Sequence, residues 1–161
     1  MNKIKIHKIM KGGIKMKVKD CMCDSVAYIN PNSTICDCAK LMSDKHVGCV
    51  PVCNKDESVV GLVTDRDVIL RCVACGKDIN TTPVSEIMTS KVCCCNENDE
   101  LNNAEKIMSE NQIRRLPVVD DNNKIIGILT LGDLCKHENI ETQNVGQTIE
   151  NICKCNTKNA E

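Results

Sequence analysis

At 161 residues the chain is long enough for one good core, or for two small cores that share an interface, and 42% apolar with 27% charged residues is the balance of a globular protein. A formal net charge of −1 and a single Tyr with no Phe or Trp offer no general attraction for nucleic acid or anionic membrane and no aromatic surface for stacking bases. No apolar run approaches the roughly 20 residues that a membrane span requires, so neither nucleic acid nor membrane is an expected partner and the cytoplasm is the expected location.

In chain order, residues 1–16 read as a basic leader, since residues 1 to 19 hold seven Lys and no acid. This stretch is open to reading as a basic arm or a targeting segment, although it lacks the apolar stretch of a signal peptide. Lys11-Gly12-Gly13 can also be encoded as a ribosome-binding sequence two codons before Met16, which makes Met16 the expected natural start. Val26 to Ile29 then reads as a strand-like piece. A helix follows, with Ser33 as N-cap and apolar Ile35, Cys38, Leu41 and Met42 at helical spacing. Val50-Pro51-Val52 and Val59 to Val63 read as strands joined by the polar loop Asn54 to Ser58, and a second helix starts after Thr64. Residues 76–83 form a linker. The same order then recurs, with Val92 to Cys95, a helix capped by Asp99, the strands Leu116 to Val119 and Ile125 to Leu129, and a helix after Thr130. Val145, Ile149 and Ile152 suggest one more amphipathic helix before a polar tail.

The recurrence is gapless. Residues 18 to 68 align with 84 to 134 at a constant offset of 66, so that Val18, Met22, Pro51, Gly61, Thr64 and Asp67 return as Val84, Met88, Pro117, Gly127, Thr130 and Asp133. Two copies imply a pseudo-symmetric pair rather than a solenoid, which needs three or more repeats. Alternating strands and helices argue an α/β unit with a small sheet covered by helices.

Fourteen Cys are the strongest compositional departure. Without a signal peptide the chain should stay in a reducing compartment with its thiols free. No C-x-x-C occurs, the three His are scattered, and on a helix Cys36 and Cys38 would project about 200° apart. Many Cys face Ala, Thr or Ile in the other copy, as Cys38 faces Ala104, so they read chiefly as small buried hydrophobes with no metal. A Cys-rich metal or redox protein is the competing reading.

The sharpest local motif is Gly-x-x-Thr-x-x-Asp, at Gly61 to Asp67 and at Gly127 to Asp133. Ser or Thr followed three residues later by an acid can be no more than a capping box that starts a helix. The same geometry also makes an anion site, because a hydroxyl and free amides converge at a helix N-terminus while a carboxylate one turn on can accept from a ribose diol. The two readings stay open on the motif alone.

Taken with Val18-Lys-Asp-Cys-Met22, Val84-Ser-Glu-Ile-Met88 and the two Pro-Val strands, the repeat resembles the cystathionine-beta-synthase (CBS) domain, which occurs in pairs called Bateman modules. Resemblance covers about residues 17 to 136 and is greatest to small stand-alone bacterial proteins with one such pair. It implies an α/β (α+β) fold of tandem domains, each a three-stranded sheet with two helices, packed around a pseudo-twofold axis. The implied division is domain one at 17–75, the linker 76–83, domain two at 84–140 and a C-terminal helix and tail at 141–161.

The resemblance also implies a function. Clefts of the family bind adenosine-containing ligands such as AMP, ADP, ATP, NAD or S-adenosylmethionine, and modules usually form homodimers. Carried over by residue, site one combines Thr64 and Asp67 with Val92, Cys93, Arg114 and Arg115. Site two combines Thr130 and Asp133 with Val26 and Ala27 near Gly48 and Cys49. The implied protein is a regulatory ligand sensor for an unidentified target protein, with no required cofactor and no enzymatic chemistry, since no nucleophile–base pair is apparent. An interaction module with empty clefts is the alternative. The clefts should be unequal, because Arg114, Arg115 and Arg66 are available to site one whereas Gly48, Cys49 and Gly132 stand at the aligned positions of site two.

Overall fold

The computed structural model describes residues 16–136 and 142–153, with side chains of the last helix described from residue 146 onward. The leader before Met16, the side chain of Val145, and the tail with Cys155 lie outside the described residues. In chain order the elements are α1 (Ile35–Lys45), β1 (Cys49–Cys53), β2 (Val59–Thr64), α2 (Asp65–Asp67), β3 (Cys95–Asn96), α3 (Leu101–Asn111), β4 (Arg115–Val119), β5 (Ile125–Thr130), α4 (Leu131–Lys136) and α5 (Thr142–Cys153). The chain is thus a mixed α/β pair of small sheets covered by helices.

Each hairpin forms around a Pro-Val strand with identical register in the two copies: Cys49 pairs with Thr64 as Arg115 pairs with Thr130, and both pairs end in a bulge. Positive φ at Glu57 (68°) and Asn123 (61°) turns the two loops. Strand β3 adds in parallel to β4, giving a three-stranded sheet in copy two. The expected strand from Val26 to Ile29 is reduced in copy one to a parallel bridge between Ile29 and Val52. Alternation of apolar residues could not show how little of either opening segment pairs.

Helices α1 and α3 fall where the apolar spacing put them, but each starts one residue later than expected. Thr34, not Ser33, caps α1, with Thr34 Oγ1 accepting from Asp37 N and Asp37 Oδ2 accepting from Thr34 N. Helix α3 begins after Glu100, because Asp99 is occupied in accepting from Asn96 N at 2.9 Å. Helix α2 is short and loosens into a π-helical turn, Val68–Val73, whose last bond runs from Ala74 N to Ile69 O.

What joins the two copies is a reciprocal exchange of their opening segments. Val18–Asp20 and Val84–Glu86 form short 3-10 turns, and each packs on the other copy's core. Val18 and Cys21 are buried with Leu101, Ala104, Leu116 and Leu129, while Val84 and Ile87 are buried with Ile35, Cys38, Val50 and Val63. The backbone repeats the exchange at the same offset: Val18 N donates to Asp99 O as Val84 N donates to Ser33 O, and Leu101 N donates to Met16 O as Ile35 N donates to Thr82 O. The crossing also explains the recurrent glycines. A Cβ on Gly61 would collide with Met88 Sδ, and one on Gly127 would stand 2.8 Å from Met22 Sδ and 2.9 Å from Cys23 O. Gly61 with Met88 and Gly127 with Met22 are therefore matched pairs, each a gap in one copy filled by a side chain of the other.

Candidate functional site

The exchange leaves two clefts between the copies. After α1 and α3 the chain reverses at His46 and Gln112, both with φ of 53°, whose amides bond back to Met42 and Met108. That reversal carries residues 47–49 and 113–115 to the mouths of the clefts. Opposite them lie the residues that follow each crossing turn, held by the antiparallel bridges Leu62 to Thr89 and Cys23 to Ile128.

The first cleft, about 340 Å³, brings Thr64 together with Val92, Cys93, Arg114 and Arg115. The second, about 670 Å³, brings Thr130 together with Val26, Ala27, Gly48 and Cys49. Both volumes suit a small-molecule site. Each is walled by the same aliphatic trio, Leu62, Val92 and Ile113 in the first and Ile128, Val26 and Val47 in the second, so the apolar lining is pseudo-symmetric.

Asp67 and Asp133 are not among the residues lining the clefts. They stand just behind, closing capping boxes: Asp67 Oδ2 accepts from Thr64 N (2.9 Å) and Oγ1 (2.7 Å), and Asp133 Oδ2 accepts from Thr130 N (3.0 Å) and Oγ1 (2.6 Å). Burial pushes the Asp133 carboxyl up, but hydrogen bonds from Thr130 and Lys136 outweigh it and hold the group below the usual carboxylate range. Arg71 joins the copies. Its Nη1 donates to Ile87 O at 2.8 Å and Thr89 Oγ1 at 3.1 Å and lies 3.3 Å from Asp67 Oδ1.

Electrostatically the structure corrects the sequence reading. The positions of the second cleft aligned with the first cleft's Arg residues, Gly48, Cys49 and Gly132, carry no charge, yet Lys45 and Arg115 both line it. Lys91 joins Arg114 and Arg115 in the first cleft, whereas Arg66 lines neither. Lys45 and Lys91 escaped the repeat comparison because Asn111 and Ser25 stand at their counterparts; their only sequence signal was position, at a helix end and beside an opening segment. Cys49, the counterpart of Arg115, is buried and its thiol is pushed up to about 12, so it stays neutral at physiological pH and is a poor nucleophile. Among the described residues no group of three or more His, Cys, Asp or Glu is placed to hold a metal ion, and no helix is long and apolar enough to cross a membrane.

A family model described as CBS domain matches residues 18–73 and again 84–139. A curated relative, the CBS domain-containing protein YhcV of Bacillus subtilis, is 42% identical over 135 residues, which are 84% of this chain and 94% of that protein. Among solved structures, that of CBSX2 in complex with AMP is 28% identical with a TM-score of 0.65, covering 74% of this chain and 93% of that one. The CBS domain pair of MJ0100, solved with 5′-methylthioadenosine and S-adenosyl-L-methionine, is 27% identical with a TM-score of 0.68, covering 75% and 98%. Hypoxic Response Protein I, with two coordinated zinc ions, is 28% identical with a TM-score of 0.70, covering 76% and 98%. The chain belongs to the CBS-domain family, whose domain it carries in two copies.

Proposed function

We propose that the chain is a regulatory sensor that binds an adenosine-containing ligand in its interdomain clefts and passes the binding on as a change in domain packing. The observation that supports this most is the repeated construction of the clefts, in which an aliphatic trio to hold a flat base, a Thr at a helix N-terminus and nearby cations face one another across the exchange. AMP in CBSX2 and S-adenosylmethionine in MJ0100 add support, because those pairs share this fold. Its role is regulation rather than catalysis: the ionisable groups at the clefts suit holding an anion, and a ligand shifts such a module by differential affinity for two states. It acts in the cytoplasm as a homodimer, a reading helped by the exposed Ile69, Leu70 and Val73 on the π-helical turn.

The first cleft is the stronger nucleotide site. It has Lys91 and Arg114 beside Arg115, whereas the second cleft has Lys45 and Arg115, and there the Asp65 carboxylate stands beside Gly48 near the Arg115 guanidinium. Charge-assisted contacts to phosphate are roughly twice as strong as neutral ones. At a hundredfold excess over Kd, AMP or ATP should stabilise the protein by about 2.7 kcal/mol, which is about 5–10 °C for a chain of this size. Calorimetric titration and a thermal melt test this, with native mass spectrometry reporting the dimer. No heat with AMP, ATP or S-adenosylmethionine would instead favour empty clefts and an interaction module.

A further inference from the structure

Among the described residues Arg115 alone lines both clefts. It sits at the first position of β4, where the other copy offers only the buried Cys49. Its Nη2 reaches within 3.6 Å of where a Gly48 Cβ would stand, beside Asp65 Oδ2 at 2.8 Å from the same point, so that it leans into the mouth of the second cleft. Gly48 leaves the room that this reach requires. The neighbouring Arg114 and Lys91 line the first cleft and Lys45 the second, so every other cation in the two linings belongs to one cleft only.

From this sharing we infer that the two clefts compete for the Arg115 guanidinium, so that a phosphate bound in the first cleft weakens binding of a phosphate in the second. The inference rests on the nucleotide reading above and deepens it. A planar guanidinium forks toward one phosphate in two parallel bonds, and it cannot direct that fork into two clefts at once. Two phosphates drawn toward one guanidinium also repel each other. Coupling of this kind is reciprocal. It is also specific to the phosphate: 5′-methylthioadenosine, which shares the base and ribose but has no phosphate, does not draw on Arg115.

Calorimetry on the full chain tests this, with AMP and 5′-methylthioadenosine as probes. Val92→Trp fills the first cleft, and Val92→Phe is a smaller plug should the larger one disturb folding. With the first cleft plugged, AMP should bind the second cleft more tightly than it does in the unaltered protein already loaded with AMP, by at least about fivefold, the lower end of typical intersite coupling. For 5′-methylthioadenosine the two values should agree, and in an Arg115→Gln background the AMP difference should vanish. Equal AMP affinities with and without the plug, or an equal effect with 5′-methylthioadenosine, would overturn the competition while leaving nucleotide binding intact. Absence of heat with both probes would remove the nucleotide reading and the competition with it.

Discussion

Thirteen described Cys are all unpaired, and their environments divide them. Burial pushes Cys21 and Cys38 up to about 11 and Cys49, Cys53 and Cys95 up to about 12. Because the thiolate is the reactive form, Cys21 and Cys38 carry about a hundredfold less of it at neutral pH than an ordinary thiol, and Cys49, Cys53 and Cys95 about a thousandfold less, before access is considered. Exposed Cys23, Cys75, Cys135 and Cys153 should therefore alkylate first and those five last, as timed labelling read by peptide mass spectrometry would show. Uniform rapid labelling would mean that the cores open far more often than their packing implies. At the same scale, Gly127→Ala forces a methyl against Met22 Sδ and the backbone oxygen of Cys23, and the backbone cannot step aside as a flexible side chain can. Overpacking of this kind costs about 1–3 kcal/mol, and urea denaturation should find the loss in that range. A neutral result would show that the crossing segment is loosely seated.

Helix α5 belongs only to copy two, where Ile152 enters the core and Asn151 Nδ2 donates to Ser109 Oγ at 2.9 Å. Beneath it on α3 lies Glu105, 6% exposed, with Oε1 lacking a hydrogen-bond partner among the described residues. Burial raises the pKa of this carboxyl. A raised folded-state value means that the native protein binds this proton more tightly than the unfolded chain does. The contribution of Glu105 to stability is thus fully present below the ordinary carboxylate pKa and is lost as pH rises through the folded-state value. An unsatisfied buried polar group costs about 1–3 kcal/mol, so Glu105→Met should stabilise the protein by about that amount at neutral pH and by less in acid. Denaturant melts across this pH window measure both, and an equal effect at every pH would place the carboxylate in water. Elements of this kind were only partly legible in the sequence. Apolar spacing located α1, α3 and the Pro-Val hairpins, since each buries one face, but it missed the N-caps by one residue, because Ser33 and Thr34 are equally good caps by type and Asp99 turns back to Asn96 N and leaves the start of α3 to Glu100, which makes no side-chain cap. Of the candidate site, Thr64 and Thr130 were legible from the repeat, whereas Asp67 and Asp133 close capping boxes outside the cleft linings. Lys45, Lys91 and the double role of Arg115 were not legible, because a repeat exposes what the copies share and these residues are where they differ.

Over the whole molecule, the exchange of opening segments decides what can fold alone. A sequence repeat states that two stretches are alike, not which copy each stretch packs on, so the natural cut at the linker separates residues that share a core. Val84 and Ile87, at 0% and 1% exposure, complete the first core but lie beyond residue 75. Fully burying such side chains contributes about 1.5–3 kcal/mol each, so losing both removes about 3–6 kcal/mol from a domain whose total stability is typically about 5–15 kcal/mol. A fragment of residues 17–75 should therefore be unfolded or nearly so, and its own Val18 and Cys21 would find no core to enter. The frame-shifted fragment 24–92 retains α1, β1, β2 and the turn that covers them, and it should be the more stable of the two by several kcal/mol. The intact chain should unfold in a single transition, because opening either core withdraws a segment from the other. Circular dichroism with urea titration of the three proteins decides the matter. A folded 17–75 fragment, or two separate transitions in the intact chain, would show that each copy closes its own core in solution and that the exchange adds little to the stability of either.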